Sequence, residues 1–152
     1  MAYIAGEARQ ELLDTLAEAI DDLAVALAGL AGAYELLATN PADRLEEELF
    51  GPVQHAYGRA KRAHTEFAGR HGLTSRPFDA PSAGLPSTGA KGFIDSAVSS
   101  AARADGALAT LQDSLMPVEV GDAELRSALT EVRALLGDVR RRARELERTL
   151  GR

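Results

Sequence analysis

Histidines and the absence of cysteine decide which chemistry the side chains of this sequence offer. The 152 residues include three His and no Cys, which excludes a thiolate nucleophile, thiolate metal ligands and a disulfide framework. His64 and His71 recur at helical spacing with Tyr57 and Phe67, on a stripe where other segments carry Leu, Val or Ala. Because a buried histidine needs partners for its ring nitrogens, we take Tyr57, His64, Phe67 and His71 as candidate ligand-binding residues.

The spacing of the same histidines argues against a metal centre. His64 and His71 lie about 10.5 Å apart along a helix, too far to bind one ion together. Helical bundles that bind iron combine Glu-x-x-His pairs with facing carboxylates, and no Glu precedes a His by three residues here. We therefore expect neither a metal nor another cofactor.

Arg59 and His64 form an R-x4-H pattern within the segment RAKRAH. This spacing resembles the motif of the HEPN family of helical-bundle ribonucleases. The resemblance covers only this short segment, and it implies that Arg59 and His64 are an RNA-cleaving pair in which His64 acts in acid-base catalysis. An RNA-acting ribonuclease of this kind is our alternative to a non-enzymatic function.

Net charge and hydropathy limit the classes of partner that we expect for this protein. The formal net charge of −6 opposes general nucleic-acid affinity, and the arginines of residues 140–144 suit a helix C-terminus without any nearby aromatic residue for base stacking. The longest uncharged run, residues 23–34, is shorter than a membrane span of about 20 residues. No export signal is visible at the N-terminus. We expect a cytoplasmic protein that binds neither nucleic acid nor membrane.

These residues are positioned by amphipathic helices. Large apolar residues between Leu13 and Leu37 alternate at three and four residues, which predicts a helix over about 6–38 with a heptad seam. The same spacing predicts helices over about 41–71, 90–115 and 122–150. Gly51 and Pro52 predict a kink in the second of these, because proline removes a helical hydrogen bond.

Residues 72–89 are rich in Gly, Pro and Ser and show no helical period. A loop of this length in a compact domain is typically a lid, a binding segment or a spacer. Leu73, Phe78 and Leu85 are spaced as anchors for a strap along the helices, and a lid and a disordered loop stay open as alternatives.

The helices together predict an all-α fold. We expect residues 1–152 to form a single domain, a four-helix bundle with the long loop between helices 2 and 3. Up-down-up-down antiparallel order is the simplest topology, and the long loop leaves a crossover open. The charge pattern favours that order, since it would set the arginines of helix 4 beside the acidic start of helix 1.

A second apolar stripe on helix 1 predicts an interface. Small or apolar residues lie on the side turned away from the seam, and they are Val25, Ala28, Gly29, Gly32 and Leu36. Uncharged surface of this kind is typical of interaction sites. The sequence thus predicts a non-enzymatic structural or interaction module that self-associates or binds a protein partner. Besides the ribonuclease, a small-ligand binder with its pocket between Gly51, His64 and the long loop stays open.

Overall fold

The computed structural model describes residues 2–79, 81–82 and 89–150, with side chains from residue 4 onward. The described chain is all-helical and contains no strand. Its elements are α1 (Ala2–Leu36), α2 (Thr39–Leu45), a π-helical turn (Glu46–Phe50), α3 (Gly51–Arg70), α4 (Gly89–Asp113), α5 (Met116–Glu119), α6 (Ala123–Leu136) and α7 (Val139–Leu150). None of the described helices combines the length and the apolar character that crossing a membrane requires.

The predicted helices are present, but two of the predicted stretches, 41–71 and 122–150, are interrupted. The stretch predicted over 122–150 is two helices, because the backbone turns at Gly137, whose N–H bonds to the Ala134 carbonyl three residues back. The apolar spacing continues through Leu136 and Val139, which are both buried, so periodicity alone does not show this break.

The irregularity predicted at Gly51 and Pro52 takes the form of the π-helical turn. The N–H of Gly51 bonds to the Glu46 carbonyl, five residues back, and α3 then starts with Pro52 in its first turn. Pro52 has no N–H to offer the Glu48 carbonyl, the acceptor it would serve in a regular α-helix. Arg142 of α7 donates to that carbonyl oxygen instead, from Nη1 at 3.3 Å.

Helix α1 is the inner helix of the fold. It packs most extensively against α4 and next against α3. The seam residues from Leu13 to Leu30 are buried, as the spacing predicts. Burial extends beyond the seam, however, and between residues 23 and 30 only Val25 is exposed. The uncharged middle of α1 therefore faces its own chain on nearly all sides.

Helices α1 and α4 approach closely at Gly29. A Cβ atom at Gly29 would lie 3.2 Å from both the Phe93 carbonyl oxygen and the Ala97 Cβ. Contacts that short force a neighbour to shift, so the missing side chain sets the distance between the two helices.

Side-chain contacts give the direction of each helix relative to α1. Gly29 contacts Phe93 near the start of α4, while Arg9 donates from Nε to the Val120 carbonyl just beyond α5, at 3.0 Å. Helix α4 is thus antiparallel to α1.

Helix α3 is antiparallel to α1 as well. Tyr34, near the end of α1, and Phe50, just before α3, line one groove, and Asp14 acts electrostatically on His64 farther along α3. Since α3 and α4 are both antiparallel to α1, they run parallel to each other.

The up-down-up-down order predicted from the sequence is therefore wrong. The connection after α3 returns alongside α1, where Arg76 pairs with Asp21 at 2.6 Å, so α4 starts at the opposite end from where α3 stops. The arginines expected beside the acidic start of α1 lie elsewhere, because α6 and α7 pack mainly against α3 and α4. Arg141 pairs within its own stretch, with Asp138 and Glu145.

Candidate functional site

His64 lies in the interior of α3 with only 3% of its surface exposed. It shares a stripe with Tyr57, Ala60 and Phe67, which are also buried, so helical spacing carries the imidazole inward. Its Nδ1 atom is buried and has no hydrogen-bond partner among the described residues. Buried polar atoms are normally paired, so this nitrogen is the most unusual polar group of the candidate site.

The segment 72–79, which we call the strap, covers His64. Gly72 adopts a φ of 67°, and the Leu73 N–H bonds to the Ala68 carbonyl at 2.8 Å, which closes the end of α3. Farther along, the Phe78 ring meets the His64 ring edge to face, with centroids 5.0 Å apart. Leu73 and Phe78 are the anchors expected from the sequence, and both are partly buried against the core. Leu85 lies outside the described residues.

Arg76 fastens the strap to α1. Its Nη2 atom lies 2.6 Å from Asp21 Oδ2, and its guanidinium carbon stands 4.2 Å above the centre of the Phe78 ring. Both charged groups of the ion pair are about half exposed, so the pair contributes little to stability on its own. Packing of Phe78 over His64 is the main attachment of the strap's far end.

Burial and a nearby cation both favour the neutral form of the buried imidazole. Burial lowers the pKa of His64, because the charged form loses water, and the Arg76 cation lowers it further. The Asp14 carboxylate on α1 acts in the opposite direction. The strap's guanidinium and the carboxylate on α1 thus have opposing effects on His64.

Arg59 does not join His64. Five residues along a helix correspond to a rotation of about 140°, which turns the two side chains to different faces of α3. Arg59 donates from Nε to Glu131 Oε2 on α6 at 2.6 Å, whereas His64 lies under the strap. In this structure the two residues of the pair implied by the HEPN resemblance have different partners, Glu131 for Arg59 and Phe78 for His64, and their catalytic role stays a prediction.

The other ligand-binding candidates have structural partners. Tyr57 is buried, with Lys61 Nζ 4.2 Å from the centre of its ring. Phe67 is fully buried and packs against the His71 ring at 4.4 Å between centroids. None of the grooves described below is lined by these four side chains.

His71 instead belongs to a cluster around Asp122, the residue that caps α6. Oδ1 of Asp122 accepts from the Leu125 N–H at 2.8 Å, and Arg70 donates to both carboxylate oxygens. His71 Nε2 lies 2.9 Å from Oδ2. Burial raises the pKa of Asp122, but the hydrogen bonds from Arg70, Leu125 and His71 outweigh it and lower the pKa to about 2. This cluster joins the end of α3 to the start of α6.

Of the five residues in the predicted interface on α1, the structure buries some and exposes others. Ala28 and Gly29 are buried, and Gly29 touches α4, so their small size is explained by packing within the chain. Gly32 is half-buried, while Val25 and Leu36 are exposed. An intermolecular role is therefore wrong for Ala28 and Gly29 and stays a prediction for Val25, Gly32 and Leu36.

Three of the grooves on the protein surface lie on or between helices that carry these residues or pack against them. One of about 310 Å³ lies between α4 and the α6–α7 break, with Arg140 at its side. A shallow one of about 530 Å³ runs along the polar face of α3, past His55, Arg59 and Arg62. A third, of about 220 Å³, lies between Tyr34 and Phe50.

Asp95 and Glu147 form a carboxyl pair between α4 and α7. Burial and the neighbouring Asp95 carboxyl, through hydrogen bonding and charge, raise the pKa of Glu147 to about 7, while Lys91 lowers it; Glu147 Oε1 is buried without a hydrogen-bond partner among the described residues. Two carboxyl groups share a hydrogen bond only when one of them holds a proton. Within the described part of the chain, no three His, Asp or Glu side chains converge as a metal-binding group.

Comparison of the chain with known protein families, with curated proteins and with solved structures found no match. Sequence reasoning located His64 on the buried stripe but missed its relation to Phe78, as well as the Asp122 cluster and the carboxyl pair. For Asp122 a signal exists, since an aspartate just before an apolar helical repeat is a common N-cap.

Proposed function

We propose that this protein is a cytoplasmic, non-enzymatic structural or interaction module, built as a four-helix bundle, that self-associates through one end. The helix packing supports the bundle, because α1 contacts α3 and α4, and these in turn contact α6 and α7. The observation that carries the proposal is a group of exposed large apolar side chains at the end of the fold where α1 begins and α5 turns.

This apolar end consists of Ile4, Leu115 and Val118. They are 61%, 67% and 69% exposed, more than any other large hydrophobic residue among the described side chains. The α5 turn packs against both α1 and α4, and the bond from Arg9 to Val120 ties it to the start of α1. Three such residues at one end are typical of an association surface.

The apolar end differs from the interface expected on α1. Val25 is 44% exposed but is the single exposed position in its stretch, with buried residues before and after it. Isolated exposed hydrophobic residues are ordinary features of protein surfaces. We therefore assign association to the apolar end and use the Val25 position as a matched control.

Light scattering after size exclusion tests this assignment over a range of micromolar concentrations. Wild type is expected as a dimer or larger species. The double variant Leu115→Asp and Val118→Asp should raise the dissociation constant at least about tenfold, because it places charge in the contact. Val25→Asp should leave the constant unchanged.

The outcomes separate the two surfaces. A monomer at every concentration rejects self-association. Weakening by Val25→Asp, with no effect of the α5 substitutions, moves the interface to α1 and contradicts the apolar end. Since all three positions are exposed, circular dichroism should show the same helicity in each variant.

A further inference from the structure

We propose that the strap is a pH-dependent cover that opens when His64 takes up a proton. The inference is independent of the association surface and rests on the geometry around His64. The imidazole is 3% exposed, Phe78 caps it edge to face, and its Nδ1 is buried without a partner among the described residues.

Protonation is incompatible with the closed arrangement. An imidazolium donates from both ring nitrogens and needs an acceptor or water at each. The closed strap gives Nδ1 neither, and burying an unpaired charge carries a large free-energy penalty. His64 can therefore become charged only after water reaches the ring.

The strap carries both obstacles to protonation. Phe78 supplies the covering ring, and Arg76 supplies the nearby positive charge. Displacing residues 74–79 removes both together. Asp14 stays on α1, where its carboxylate favours the imidazolium. Asp21, the partner of Arg76, is on the same helix and loses that partner when the strap opens.

The attachment points define the part that moves. Leu73 is held by its backbone bond to Ala68 and by packing, so the end of α3 stays closed. Within residues 74–79, the contacts with the rest of the fold include the Phe78 packing and the half-exposed pair of Arg76 with Asp21. Both are side-chain contacts, and opening breaks no helix.

The direction of the pH effect follows from linkage. The pKa of His64 is below its ordinary value of 6.5 in the closed state and returns toward it in the open state. The open state therefore binds more protons, and opening becomes more favourable as pH falls below about 6.5, by at most about tenfold per pH unit for one proton.

Hydroxyl-radical footprinting of the Phe78 ring, read by mass spectrometry and normalised to free phenylalanine at each pH, tests the proposal. Between pH 7.5 and 5.5, labelling of Phe78 in the wild type is expected to rise several-fold, while the fully buried Phe67 of α3 keeps its low labelling. His64→Phe fills the site without a titratable group and should hold the labelling of Phe78 constant. His55→Gln and His71→Gln should retain the wild-type response.

A titration of the His64 ring by NMR keeps the test independent of that variant's folding. The ring protons of His64 and Phe78 should shift with a common midpoint below pH 6.5. The proposal is overturned by constant labelling of Phe78 across this range, by a pH response that survives in folded His64→Phe, or by a His64 midpoint at or above 6.5.

Discussion

Arg142 donates a hydrogen bond to the carbonyl oxygen of Glu48, the acceptor that Pro52 cannot serve. The bond joins α7 to the π-helical turn over a sequence separation of 94 residues. An irregularity set by two local residues, Gly51 and Pro52, is thus completed by a side chain from the last helix.

Replacing Arg142 with Met tests that relationship. The change keeps the length of the side chain but removes the donor, so the Glu48 carbonyl loses a partner, and unfolding free energy should fall by about 1–2 kcal/mol. Arg144→Met, at an exposed position of the same helix, is the control and should change stability by less than about 0.5 kcal/mol. In a Pro52→Ala background, which restores an N–H at residue 52, the cost of Arg142→Met should shrink; an equal cost in both backgrounds contradicts the assigned role.

The Asp122 cluster gives a prediction in acid. Asp122→Ala should lower the unfolding free energy by about 1–2 kcal/mol at pH 7, on the scale of a lost N-cap. Because the folded-state pKa is about 2 and the ordinary value is 3.8, the carboxylate's contribution is present above pH 3.8 and is lost as pH falls toward 2. Denaturant unfolding should show wild type and variant converging in that window. Asp43→Ala, at an exposed site, should follow wild type throughout.

The carboxyl pair gives the opposite dependence. The folded-state pKa of Glu147 is about 7, above the ordinary 4.5, so the folded state holds a proton that the unfolded state releases between these values. The pair's contribution is complete below pH 4.5 and disappears as pH rises through 7.

Glu147→Gln should therefore match wild type near pH 4.5 and be more stable at pH 8.5. Gln keeps a donor for Asp95 at every pH, and we expect a difference of about 1 kcal/mol, because partial exposure screens the pair. Thermal unfolding at the two pH values measures the difference. Glu11→Gln, on the exposed face of α1, is the control. If the stability difference between Glu147→Gln and wild type does not widen from pH 4.5 to pH 8.5, the two carboxyl groups do not share a proton.

Close packing of α1 on α4 predicts contrasting effects at two glycines. Gly29→Val should destabilise by about 1–3 kcal/mol, because the new side chain meets a backbone carbonyl and Ala97. Gly106→Val has open space around its Cβ and should be neutral or slightly stabilising, since valine has a higher helix propensity than glycine. Equal changes in unfolding free energy for the two variants in chemical denaturation would show that the close contact at Gly29 does not determine the cost of the substitution.

Local sequence patterns predicted the helices, but they did not predict which helices pack against each other. The seam of α1, the burial of His64 and the anchoring role of Leu73 and Phe78 follow from spacing and hydropathy, which report the face that is buried. Spacing does not say which helix covers that face. The predicted order of helices relied on attraction between exposed charges, which is weak, and Arg141 of that run pairs with Asp138 and Glu145 close by in sequence.

The candidate site was predicted only in part for the same reason. His64 could be placed on a buried stripe, but its cover comes from a segment without periodicity, and edge-to-face contact with Phe78 depends on the path of that segment. The R-x4-H pattern is local, and it does not report that Arg59 pairs with Glu131 on α6 while His64 lies against Phe78.

The enclosure of α1 constrains how this sequence can drift. Between residues 23 and 30, every position except Val25 is covered by the protein itself, so a charge there would be buried without a partner. Diverged homologues should preserve an uncharged stretch at these positions, with variation concentrated at position 25, even where the outer faces of the other helices have changed completely. Such a stretch, which looks like a docking surface when the sequence stands alone, is then a marker for the helix that its own neighbours surround.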